Sequence, residues 1–143
     1  MKRQDKYPST STFRYYNANP HNRIGGDCTI RAIATALGQS WEQTVRELTE
    51  VGIKYGYVCN DKHTYEKYLA QKGWRKMKQP RKEDGTKYTG KEFCQEATQY
   101  PFNYPDRIIA HIGGHHIVAI MDGRVWDIWD STDGCIGNYW VEA

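Results

Sequence analysis

Long apolar runs are missing from this sequence. The longest, near residues 117–121, is far too short to cross a bilayer, which excludes a transmembrane helix. The first residues, Met1, Lys2, Arg3, Gln4 and Asp5, lead into polar sequence and not into an apolar segment. No secretory signal is read there, and the expectation is a cytoplasmic protein without a membrane partner. A dominant charge is also missing. Twenty basic against seventeen acidic residues give +3, too mild to demand nucleic acid as a partner. Cysteine is sparse and scattered: Cys28, Cys59, Cys94 and Cys135 contain no CxxC pair. Neither a disulfide framework nor a thiolate zinc site is expected from such spacing. His111, His115 and His116 do cluster, yet three histidines alone fall short of a metal signature. No metal and no cofactor are expected.

What is present suffices for a core. The chain has 143 residues, 38% of them hydrophobic, with eleven tyrosines and five tryptophans. That length fits one compact domain, and the composition argues against wholesale disorder. Residues 1–19 are polar and aromatic and read as an N-terminal arm, with residues 12–16 its only strand-like stretch. A single domain is expected over residues 20–143.

Within that domain the periodicity changes once. Ile30, Ile33, Ala34 and Leu37 recur at helical spacing, with Asp27 as a candidate N-cap and Gly38 as the C′ residue. Small alanines on the remaining faces predict a helix buried on most sides, carrying Cys28 in its first turn. Ser40 and Gln43 form a capping-box pattern ahead of a helix with Trp41, Val45 and Leu48. Asp61 heads a third helix through Tyr65, Tyr68 and Leu69 to Gly73. Thr89 and Glu92 form a second capping box, opening a fourth with Phe93 and Ala97 toward the core.

From residue 106 the pattern is β: residues 107–112, 115–121 and 124–129 read as strands, and 138–141 as a last one. Asp122 and Gly123 supply a two-residue hairpin turn. Helices first and an antiparallel sheet last give an α+β fold. Between them, residues 72–91 are strongly basic: Lys72, Arg75, Lys76, Lys78, Arg81, Lys82, Lys87 and Lys91 outweigh Glu83 and Asp84. With Pro80 and Gly85 inside, this stretch reads as an exposed connector. It is either a solvated face or a surface for an acidic partner or nucleic acid.

The hairpin proposes neighbours by itself. A turn at Asp122 and Gly123 pairs Met121 with Arg124, Val118 with Asp127, and His116 with Trp129. His116, Val118, Asp127 and Trp129 then share one face, with His116 and Asp127 diagonal across it. A carboxylate beside a histidine selects its tautomer and makes it a better base. Cys28, at a helix N-terminus, is the thiol such a base would activate, because the N–H groups and dipole there favour a thiolate. On the opposite face His115 would pair with Asp130, an alternative base pair.

These elements resemble those of papain-like cysteine peptidases. NRIGGDC over residues 22–28, opening a buried helix, resembles the family's nucleophile segment, with Asn22 at the spacing of its oxyanion-binding amide. HIVAIM over 116–121 resembles the histidine strand. DIW over 127–129 resembles the element whose polar residue orients the histidine and whose tryptophan, here Trp129, shields the pair from water. Amide, cysteine, histidine and carboxylate also come in the family's order. The small size and the pairing of Asp27 with Cys28 are closest to bacteriocin-leader peptidases and related bacterial or phage domains. That implies a bacterial cell or a phage-infected host.

The resemblance implies a papain-like fold, with the nucleophile helix packed on a C-terminal antiparallel sheet. It also implies a thiol hydrolase of peptide, isopeptide or amide bonds acting on a protein or peptide substrate. Cys28 would be the nucleophile, His116 the base, Asp127 its orienter and Asn22 the oxyanion donor. Transglutaminase-like and arylamine-acetylating enzymes resemble the same Cys-His-Asp order, so acyl transfer is the alternative among enzymes. A non-catalytic module binding through residues 72–91 is the alternative outside them.

Overall fold

A computed structural model describes residues 1–97 and 105–143. The chain forms α1 (Arg3–Lys6), β1 (Phe13–Tyr15), α2 (Cys28–Leu37), α3 (Trp41–Tyr55), α4 (Lys62–Gln71), β2 (Trp74–Met77), α5 (Gly90–Ala97), β3 (Arg107–Ile112), β4 (His116–Met121), β5 (Arg124–Asp127) and β6 (Ile136–Glu142). The fold class is α+β. One six-stranded sheet runs in the order β1-β5-β4-β3-β6-β2.

Local chemistry accounts for the helix ends. Gly38 closes α2 in the left-handed conformation at φ 68°, which glycine adopts without steric cost. Ser40 accepts from the Gln43 N–H at the head of α3, and Asp61 accepts from the His63 N–H at the head of α4. Thr89 and Glu92 complete a reciprocal box: each backbone N–H donates to the other's side chain, at 3.0 and 3.1 Å. Phe93 is buried beneath α5 as expected, while Ala97 is only half-buried.

The sheet separates two apolar layers. Ile109, Ile117, Ala119 and Trp140 face α2, α3 and α4, where Ile33, Leu48 and Leu69 are fully buried. Ile108, Ala110, Val118, Ile120 and Val125 face the opposite side and pack with Phe93 and Cys94 of α5. Alternation along β3 and β4 thus puts neighbouring residues into different cores. The β4–β5 hairpin turns at Asp122 and Gly123, both at positive φ, and pairs Met121 with Arg124 as read from the sequence.

Three features differ from the sequence reading. The sheet is mixed: β1 runs parallel to β5, pairing Phe13 with Val125 and Tyr15 with Asp127. Helices intervene between these strands, so the connection is long enough for parallel pairing. Within the N-terminal stretch, Phe13–Tyr15 consequently joins the sheet, anchored by Phe13, which is fully buried; such burial contributes about 1.5–3 kcal/mol. The basic stretch also holds more regular structure than expected. Trp74–Met77 pairs with β6, and Arg81 bridges Lys87. Lys72, Lys76, Lys82 and Lys91 are paired with Glu47, Glu66, Glu92 and Asp133. Half of the stretch's eight cations therefore have acidic neighbours. Among the described residues, no helix is long and apolar enough to cross a membrane.

Candidate active site

Cys28 begins α2, His116 begins β4 and Asp127 ends β5, so all three lie at element ends where side chains can converge. The turn ahead of His116 contains Gly113 and Gly114 at φ 60° and 92°, a backbone that side chains would strain. His116 Nε2 lies 2.5 Å from Asp127 Oδ2. That contact leaves Nδ1 of the ring for the hydrogen bond with the Cys28 thiol. The Ile117 N–H also donates to the sulfur.

Each titratable partner shifts the other. Burial disfavours the Cys28 thiolate, but the hydrogen bond and charge of His116, the Ile117 amide and the positive charge of Arg31 outweigh it. The thiol is therefore held below its ordinary range. Burial likewise disfavours the His116 imidazolium, and here the hydrogen bonds to Asp127 and Cys28 prevail, raising its pKa to about 9. Both shifts favour a thiolate–imidazolium pair near neutral pH. Trp129 lies against the His116 ring with centroids 5.1 Å apart, and remains 36% exposed on its outer side.

The other expected participants are Asn22, His115 and Asp130. Asn22 stands in the exposed loop before α2 at φ 55°, and its side chain makes no hydrogen bond among the described residues. His115 is exposed, and Asp130 accepts from the backbone N–H and hydroxyl of Thr132 at 3.0 and 2.5 Å. The alternative pair is thus not joined; an Asx turn satisfies the carboxylate locally. The three clustered histidines serve separate contacts, with His111 Nε2 lying 2.7 Å from Tyr65 Oη.

Asp27 departs furthest from its expected role. Its side chain does not cap α2. One carboxylate oxygen accepts from Asn19 Nδ2 and Trp41 Nε1, both at 3.0 Å, and the other pairs with Arg31. Arg31 also reaches Asp127 Oδ1 at 3.4 Å, so one guanidinium joins the carboxylate beside Cys28 to the carboxylate that holds His116. Asp27, Arg31 and Asp127 are 6%, 7% and 4% exposed, which makes the chain of charges a buried one. Turned away, Asp27 leaves the first-turn N–H groups of α2 without its side chain as a cap.

The sequence reading did not assign Arg31, Asn19 or Trp41 to this site. Arg31 offered a signal: a charged residue inside an apolar, mostly buried helix needs an internal partner. Residues 1–19 brace the opposite end of the network. The Tyr16 N–H donates to the Asp127 carbonyl at 2.9 Å, and Arg3 Nε donates to the Ile128 carbonyl at 2.7 Å.

Two clefts flank the site. One, of about 560 Å³, is lined by Thr29, Ile117, Tyr65, His111, Lys62 and Lys87 among others. The other, of about 450 Å³, is bounded by His116, Trp129, Asp130 and Asp133. His115 borders both. Protein-family models, curated proteins and solved structures gave no match to this chain.

Proposed function

We propose that this protein is a papain-like thiol hydrolase acting on peptide, isopeptide or amide bonds. The observation that carries the reading is the half-buried relay in which Cys28 is hydrogen bonded to His116 and His116 to Asp127. The Cys28 thiolate attacks the substrate carbonyl carbon, and the carbonyl oxygen becomes an oxyanion beside the uncapped N–H groups of α2. His116 gives its proton to the leaving nitrogen as the C–N bond breaks, leaving a thioester on Cys28. Neutral His116 then takes a proton from water as it attacks the thioester, which releases the carboxylic acid and restores the Cys28 thiolate beside the His116 imidazolium. Asp127 fixes the ring and stabilises its charged form. Asn22 is not needed as the oxyanion donor in this scheme, since the helix N-terminus supplies donors of its own.

Iodoacetamide tests the nucleophile directly. In the folded protein Cys28 should be alkylated fastest of the four cysteines, even though Cys135 is the most exposed. His116→Ala should slow Cys28 labelling about tenfold or more near neutral pH, as the thiolate fraction falls. Equal labelling of all accessible cysteines, indifferent to His116, would defeat the proposal.

A further inference from the structure

The two flanks of the catalytic pair differ in charge. Along the larger cleft the ionisable lining groups are Lys62, Lys87, His111, His115, Tyr65 and Cys135, and no carboxylate among the described residues lines it. Lys62 has Glu66 at 3.8 Å, but Glu66 is held more closely by Lys76 at 3.0 Å, so positive charge is in excess there. Lys87 has no ion pair among the described residues. His111 senses the same field: after burial, the nearby Lys62, Lys76 and His115 hold its pKa below the ordinary histidine range. The smaller cleft differs in having Asp130 and Asp133 on its wall, beside His115 and His116, with Asp133 paired to Lys91 at 3.6 Å.

Chemistry orients a substrate across these flanks. The sulfur of Cys28 bonds to the acyl carbon, while the leaving nitrogen must approach His116, which protonates it. The leaving portion therefore lies along the wall of His116 and Trp129. That leaves the other side of Cys28 for the acyl portion, and Thr29 and Ile117, the chain neighbours of Cys28 and His116, are in the wall of the basic cleft.

We infer that the cleft between Thr29 and the lysines Lys62 and Lys87 is a binding site for an acidic peptide segment, the acyl-side portion of the substrate. This rests on the hydrolase reading for its orientation, whereas the affinity for acidic peptide follows from the cleft itself. Lys62 and Lys87 are exposed, and exposed lysines bind carboxylates modestly and with salt sensitivity, so the preference is one of specificity more than of tight affinity.

Binding can be read apart from catalysis in the Cys28→Ala protein. Fluorescence anisotropy would be measured with fluorescein-labelled hexaglutamate, hexaglutamine and hexalysine. Hexaglutamate should bind roughly three- to tenfold more tightly than hexaglutamine, as two exposed charge pairs allow, and the margin should shrink as salt is added. Lys62→Gln with Lys87→Gln should remove the margin, and Lys62→Glu with Lys87→Glu should turn the preference toward hexalysine. Equal affinity for the glutamate and glutamine peptides, no binding of hexaglutamate, or a preference surviving both lysine replacements would overturn the assignment. Slow, His116-independent alkylation of Cys28 would sink the hydrolase reading instead, while an intact hexaglutamate preference would still support an acidic-peptide site.

Discussion

Cys28 and Cys94 are both helix-borne thiols, and their surroundings drive them in opposite directions. Cys94, in α5, is 1% exposed among Phe93, Val118 and Ile120, and burial pushes its pKa up to about 12. Cys28, in the first turn of α2, also pays for burial, yet His116, the Ile117 amide and Arg31 reverse the outcome. A helix and a cysteine are common to both sites; an imidazole and a buried charge network belong to one. Burial alone makes a thiol inert, and burial with a positive partner makes a thiolate.

Exchanging each sulfur should separate the two most sharply. Cys28→Ala should lower kcat/KM for a cleavable amide by at least on the order of 10³-fold while the thermal midpoint stays close to that of the parent. Cys94→Ala should do the reverse, preserving turnover while lowering stability by about 1 kcal/mol through a small core void, read by chemical denaturation. A Cys94 variant that lost turnover with its fold intact would undo the distinction.

The charge network should show the next largest effect. Arg31→Met leaves the buried carboxylates of Asp27 and Asp127 without their shared guanidinium. Unfolding by urea should then report a loss of about 3 kcal/mol. Adding Asp27→Asn should restore part of that loss, since it removes one of the stranded charges. Restoration of nothing by the double change would mean that Arg31 stabilises by packing alone.

The smallest effect is a matter of pH. Attack needs the thiolate, so turnover should rise with pH along an acid limb set by Cys28, below the ordinary thiol range. Departure of the leaving nitrogen needs the imidazolium, so turnover should fall again as His116 loses its proton near about 9. In His116→Ala the alkylation rate of Cys28 should follow a limb moved to higher pH. Cys94, without such a partner, should show no comparable shift when His116 is replaced. An unmoved Cys28 profile would remove the difference between the two thiols.

Much of the scaffold could be read from local patterns because its causes are local. Gly38, Ser40, Asp61 and the reciprocal pair of Thr89 and Glu92 act within a few residues, and each marks a helix end where expected. The register of β4 and β5 followed from Asp122 and Gly123, which is why the neighbouring of His116 and Asp127 could be anticipated. Short β2 was missed because its charged residues Arg75 and Lys76 dominate the local pattern, while Trp74 is held by tertiary burial. Asp27 was misassigned for a similar reason. Its position favours an N-cap, but Asn19, Arg31 and Trp41 offer the carboxylate stronger partners from outside the turn. The pairing of His115 with Asp130 failed because Thr132, two residues along, satisfies Asp130 first.

By itself, the order of residues determined the helix boundaries, the hairpin and the diagonal meeting of a histidine with a carboxylate, since turn chemistry and side-chain alternation act over short spans of chain. Only the tertiary structure decided that Cys28 meets that histidine, that Arg31 spans two buried aspartates and that β1 lies parallel beside β5. Those contacts join residues about ninety to more than a hundred positions apart, and no local propensity encodes them. They arise when α2 packs across the sheet, burying apolar surface and carrying a few polar groups into a space where each must find a partner.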